Sequence, residues 1–108
     1  MEEAIMILVR DIFQLKFGKG KEAKALWREG AAIENKFGYN VRRVLTDLTG
    51  SYYTLVMESI FESLADYEKA LKRAFSTEEW GEWYQKFIPL VESGRREIFT
   101  IVEDSEFN

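Results

Sequence analysis

The chain of 108 residues is 46% hydrophobic and 15% aromatic, enough for one packed domain and far from a disordered composition. Its net charge of −4 is spread over interspersed signs with no basic face, which argues against a nucleic-acid partner. Cysteine and histidine are both absent, which excludes a disulfide framework, a thiolate nucleophile, a Cys/His zinc site and a histidine base or haem ligand.

A metal site of carboxylates alone stays open in principle, but no DxDxDG-type loop occurs. No metal and no cofactor are therefore expected, and any chemistry falls to Asp, Glu, Tyr, Arg or Lys. The longest apolar run, Ala4 to Val9, is too short to span a bilayer, and no secretory h-region precedes a cleavage site. A soluble cytoplasmic protein with no membrane partner is the expectation.

A first strand is predicted from Ala4 to Lys16. Ile7, Val9, Phe13 and Leu15 alternate onto one face and Leu8, Arg10, Ile12 and Gln14 onto the other. Such a strand needs cover on both sides and is placed centrally in a sheet. Asp11 falls on the otherwise apolar face, as a β-bulge or as the end of the strand beyond the core. Apolar residues at three- and four-residue steps from Ala23 to Phe37 predict a helix over 19–37, stopped by Gly38. Gly30 lies near the buried stripe and implies close approach to a neighbouring backbone, since a mid-helix glycine costs about 1 kcal/mol against alanine.

Val41 to Leu48 reads as a second strand, Thr49-Gly50-Ser51 as a hairpin turn, and Tyr52 to Phe61 as a third strand. Ser63 with Asp66 caps a helix whose stripe is Leu64, Tyr67, Leu71, Ala74 and Phe75. Ser76 with Glu79 repeats the signal, so a separate helix begins near Thr77, with Trp80, Tyr84, Phe87 and Val91 as its stripe and Pro89 at its end. Gly94 closes the helical region, Arg96 to Glu103 forms the last strand, and a polar tail follows.

The order β-α-β-β-α-β defines an α+β, ferredoxin-like fold: a four-stranded antiparallel sheet with strands one and three central and the helices on one face. The other face would carry Met6, Leu8, Ile12, Val56, Ile60 and Val44 bare. An apolar patch of that size marks an interaction surface, most economically a homodimer whose sheets pack face to face.

The opening strand and its exit LKFGKGKEA, with Arg10, Phe13 and Lys16-Phe17-Gly18, resemble the dimeric α+β-barrel superfamily, and within it the NIPSNAP-like branch. Phe17 stands where that branch has Pro. The segments MESIFESLADYEKAL, STEEWGEWYQKF and ESGRREIFTI resemble its last strand pair, helix and closing strand. The resemblance covers almost the whole chain and implies a dimeric α+β barrel. Its superfamily also holds cofactor-free monooxygenases, haem-degrading enzymes and small-ligand sensors, and the absence of histidine sets haem chemistry aside.

Candidate site residues follow from placement. Arg10 and Glu58 fall on the mixed faces of the two central strands as antiparallel neighbours. They form either an anion clamp with a carboxylate base, its pKa raised by desolvation, or an ion pair at the dimer seam; buried charges favour the pair. Tyr52, Tyr53, Arg42 and Arg43 flank the hairpin as a pocket mouth or as cross-strand neighbours on a solvated edge. Trp27 and Trp80 read as core. Trp83, off the main stripe, either lines a cleft or meets the partner subunit, and a pocket between sheet and helices walled by these rings and Tyr84 is the default ligand site. Arg95, Arg96 and Glu97 form a charged cluster entering the last strand. Gly18-Lys19-Gly20-Lys21 fails the phosphate-loop spacing.

Three functions fit: a homodimer binding a small molecule in the cleft through Arg10, Tyr53, Glu58, Trp83 and Tyr84; a cofactor-independent monooxygenase or isomerase acting on an aromatic or polyketide-like substrate with Glu58 as base; or a solidly packed structural module. The cleft discriminates, according to whether it reaches Glu58, is aromatic without it, or is absent.

Overall fold

The computed structural model describes residues 6–103. In chain order it contains β1 (Ile7–Leu15), α1 (Gly20–Lys36), β2 (Val41–Thr46), β3 (Thr54–Phe61), α2 (Leu64–Phe75), α3 (Glu78–Phe87) and β4 (Val91–Thr100), with a 3₁₀ turn at Ile88–Leu90 before β4. Ala4, Ile5 and the tail 104–108 lie outside the described residues. The sheet is antiparallel in the order β2-β3-β1-β4, so β1 and β3 are central as expected.

Strand alternation sorts β1 cleanly. Ile7, Val9, Asp11 and Leu15 are buried beneath the helices, while Leu8, Arg10, Ile12 and Gln14 point to the uncovered face. Asp11 is neither a bulge nor a strand end. It pairs in register with Met57 of β3 and Arg96 of β4, and the irregularity lies at Gln14/Leu15 instead. Two apolar clusters fill the helix side. Leu15, Trp27, Leu55, Met57, Trp83 and Phe87 pack at one end. Ile7, Val9, Tyr39, Phe61 and Tyr67 pack at the other. Val41 and Phe75 pack against both.

Local signals set most helix ends. Ser63 Oγ accepts from the Asp66 amide at 3.1 Å and caps α2. The cap of α3 is Thr77 rather than Ser76: its Oγ1 accepts from the Trp80 amide at 3.1 Å. α1 ends as predicted, with Gly38 at φ +93°. The Tyr39 amide bonds the Glu34 carbonyl at 2.9 Å and the Gly38 amide bonds that of Asn35 at 3.2 Å, a Schellman closure.

Several boundaries differ from expectation, each for a physical reason. A seven-residue loop replaces the tight hairpin turn, held where the Asp47 carboxylate accepts from the Thr54 amide at 3.0 Å. β4 starts at Val91, so Gly94 lies inside it; a Cβ there would meet the Phe13 ring at 3.0 Å. An extra residue between Val41 and Arg43 turns Val44 to the helix side beside Met57, and Leu45 takes its place on the open face. Leu64, at the start of α2, is exposed.

On α3 the buried residues are Trp80, Trp83 and Phe87. Trp83 is therefore core, 4% exposed, and Tyr84 faces outward at 45%. The Trp83 indole donates to the Leu26 carbonyl at 2.7 Å and lies against Trp27, with ring centroids 4.6 Å apart. Gly30 makes this possible. The close approach there is from a ring and not from backbone, for a Cβ at Gly30 would fall 2.5 Å from Trp83 Cζ2. Gly30→Ala is expected to lower the urea midpoint by the equivalent of about 1–3 kcal/mol through overpacking. That outweighs the helix-propensity gain, and a raised midpoint would show that the indole moves aside freely.

Candidate functional site

A cleft of about 430 Å³ opens between α3 and the β1–β4 pair. Phe13, Phe87, Tyr84 and Val91 wall it, and Asp11 and Arg96 form its polar floor. Phe13 and Phe87 meet edge to face at 5.0 Å, and the missing side chain of Gly94 leaves room for the Phe13 ring. Apolar walls with a few convergent polar groups are the usual build of a small-molecule site.

Adjacent positions across the antiparallel β1–β4 ladder put Asp11 and Arg96 together. Arg96 Nε donates to Asp11 Oδ1 at 2.5 Å, and its Nη1 donates to the Tyr67 hydroxyl at 2.7 Å. The pair is lopsided in exposure: the Asp11 side chain is 5% accessible and that of Arg96 38%. Burial raises the Asp11 carboxyl above its ordinary range, and the hydrogen bond and charge of Arg96 only partly offset this. For Arg96 burial opposes the charge, but the bond to Asp11 prevails and holds the guanidinium more firmly protonated.

Behind this pair lies Glu34, 1% exposed, brought in by the inward face of α1. Its Oε1 and the hydroxyls of Tyr39 and Ser59 have no hydrogen-bond partner among the described residues. The Schellman closure of α1 sets Tyr39 beside Glu34. Burial, reinforced by the negative charge of Asp11, pushes the Glu34 carboxyl up to about 9, so it is neutral at pH 7. Burial likewise raises the Tyr39 and Tyr67 hydroxyls, which stay protonated.

The predicted Arg10–Glu58 neighbours are direct partners in the β1–β3 register, on the open face. Arg10 Nε donates to Glu58 Oε2 at 2.9 Å and Arg43 Nε to Oε1 at 2.6 Å. Burial pushes the Glu58 carboxyl up, yet the hydrogen bonds and charges of Arg43 and Arg10 outweigh it and hold Glu58 below the usual range. The expected rise does not occur, because two guanidiniums cover the carboxylate. Arg10 also approaches Glu97 at 3.9 Å and stacks over Phe99 at 5.1 Å, and Arg95 reaches Glu97 at 3.3 Å. A shallow concavity of about 630 Å³ holds this cluster with Leu8, Ile60 and Phe99.

The structure thus divides the expected site residues. Tyr84 borders the cleft; Trp83 supports it from the core; Arg10 and Glu58 lie on the opposite face of the sheet. Tyr53 sits at the far end, at φ +63° in the β2–β3 loop, against Phe17 at 4.8 Å and beside a separate depression with Gly20 and Leu48. Asp11, Glu34 and Tyr39 were not anticipated as a site. Their signals were present: one charge on the apolar face of β1, and a Glu four residues after Gly30 on the buried face of α1. Among the described residues no group of three or more acidic side chains is placed to hold a metal ion, and no helix is long and apolar enough to cross a membrane.

A ferredoxin-like α+β sheet with a helix-side cleft defines the class of protein. The NIPSNAP family model matches residues 10–106, and the chain belongs to the NIPSNAP family. The fold is shared with a NIPSNAP family protein of Agrobacterium tumefaciens, at TM-score 0.82 and 23% identity over 87% of this chain and 90% of that one. A NIPSNAP-like domain protein of Burkholderia xenovorans superposes at TM-score 0.83 and 24% identity over 96% and 90% of the two chains. More distantly, SnoaB of Streptomyces nogalater, a cofactor-independent oxygenase, superposes at TM-score 0.73 and 14% identity over 95% and 99%. No curated protein matches the chain.

Glu34 gives a pH test with a definite sign. Its folded pKa of about 9 lies above the unfolded value of 4.5, so the folded chain binds the extra proton. The stabilisation is complete below the unfolded value and is lost as pH rises through the folded one, at up to about 1.4 kcal/mol per pH unit. Glu34→Gln, neutral at every pH, is expected to remove this slope between pH 6 and 9 in urea titrations. An unchanged slope would show that Glu34 is not buried as an acid.

Proposed function

We propose that the chain is a homodimeric, cytoplasmic member of its family that binds a small molecule in the cleft between sheet and helices. The observation that carries this is the cleft itself, aromatic on its walls, with the Asp11–Arg96 pair at its floor and Arg95 at its rim. Glu58 is absent from it, which favours ligand binding over a Glu58-based reaction. The cysteine-free composition fits an intracellular setting.

Face-to-face pairing of two sheets is supported by the open face, where Leu8, Ile12, Leu45, Val56, Ile60 and Phe99 surround the Arg10–Glu58–Arg43–Glu97 cluster. Both carboxylates of the cluster are held by guanidiniums, which lowers the cost of covering them. A second reading, a cofactor-independent monooxygenase or isomerase for an aromatic or polyketide-like substrate, uses the same cleft. There the base would be Asp11, whose carboxyl burial has raised, and not Glu58.

Native mass spectrometry of freshly purified protein is expected to show a dimer that releases a defined small mass as collision energy rises. Leu8→Asp, which plants a charge on the open face, is expected to give monomers or unfolded chain; a stable dimer from it would rule out face-to-face packing. Glu58→Gln takes the carboxylate from Arg43 and leaves Arg10 only Glu97, and is expected to raise the dimer dissociation constant at least tenfold by sedimentation.

A further inference from the structure

Resting on the cleft as the ligand site, we propose that its ligand is an aromatic monoanion held by Arg96, and that each binding event brings one proton from solvent onto the buried carboxyl of Asp11. Four observations lead there. Of the two charged groups on the floor only Arg96 is open to an incoming molecule, the Asp11 side chain being almost fully covered, and the charge of Arg95, the further cation lining the cleft, is taken up by Glu97 at 3.3 Å. The group on offer is therefore a cation, and the matching ligand chemistry is a carboxylate, phenolate or enolate. Among the described residues Arg96 Nη2 makes no hydrogen bond, since Nε is spent on Asp11 and Nη1 on Tyr67. The guanidinium thus has a donor free for a ligand oxygen while its position stays locked from behind. The rest of the cleft, Phe13, Tyr84, Phe87 and Val91, is suited to a flat apolar body of one or two rings.

The proton follows from charge balance. Without ligand the floor is neutral: Asp11 carries one negative charge and Arg96 one positive. Every other titratable group facing Asp11 is uncharged at pH 7, namely Glu34 from α1, Tyr39 from the segment after α1 and Tyr67 from α2, while β3 presents only Met57. A bound anion would leave a net negative charge in a site where burial already disfavours the Asp11 carboxylate. Arg96 cannot neutralise two anions, and Glu34 already holds its proton. Asp11 is the acceptor that remains: its carboxylate takes a proton, the site returns to neutrality, and Arg96 is left to the ligand.

The test uses the wild-type protein with 2-naphthoate as the anionic probe and 2-naphthamide as its neutral isostere. Titration calorimetry at pH 7.5 in two buffers of different ionisation enthalpy counts protons directly, and about one taken up per bound naphthoate is expected. Correspondingly, the naphthoate Kd should rise by up to tenfold per pH unit between pH 7 and 8.5. Asp11→Asn should flatten that dependence, and Arg96→Gln should weaken naphthoate at least tenfold and by a larger factor than naphthamide. Naphthoate binding with no proton uptake would overturn the coupling. Naphthamide binding as tightly as naphthoate would overturn the anion preference yet leave the cleft as a ligand site. Binding of neither probe, with no small mass released from the native protein, would overturn this inference and the cleft reading together.

Discussion

The Asp11–Arg96 ion pair is the constraint on which the helix side of this fold depends. It bridges the central strand to the edge strand beneath the helices, and the hydroxyl of Tyr67 ties it to α2. Burying a carboxylate there is tolerable only with a partner, and removing one side of such a pair typically costs about 3–5 kcal/mol. The apolar clusters on either side meet only around it, through Val41 and Phe75. The edge of the sheet beside α3 stays polar at its floor, and the cleft lies over that floor.

The same sheet carries two ionic arrangements with opposite electrostatics. On the open face Glu58 receives two guanidiniums and is locked as a carboxylate, a state suited to structure and poor for proton transfer. On the helix side one guanidinium serves Asp11, with a neutral Glu34 behind it, so burial prevails and protonation lies within reach. The number of arginines per carboxylate decides the difference. Two faces of one β-strand can therefore divide assembly from ligand chemistry.

Tryptophan packing explains how the cleft keeps its shape. Trp83 is held by its bond to the Leu26 carbonyl and by contact with Trp27 and Phe87, while Gly30 allows α1 and α3 to approach. With α3 fixed in this way, Phe87 and Tyr84 present their rings toward β1 and β4 at a set distance. The cleft wall is thus the outer surface of the aromatic core, and its geometry inherits the rigidity of that core.

Much of this was legible in the chain alone. Period-two alternation in β1, the Ser63 cap and Gly38 are local signals that act over a few residues, and together they determined the element order, the central strands and the face carrying Arg10 and Glu58. Position within an element was less legible. Trp83 and Tyr84 are adjacent on α3, and only the placement of α1 decided which was buried; Thr77 replaced Ser76 as cap, and Gly94 entered β4, because packing against neighbours outranks propensity. The site lay furthest from view. Asp11, Glu34 and Arg96 are distant in sequence, and their protonation depends on how many charges and how little water surround each, quantities that exist only once the helices have closed over the sheet.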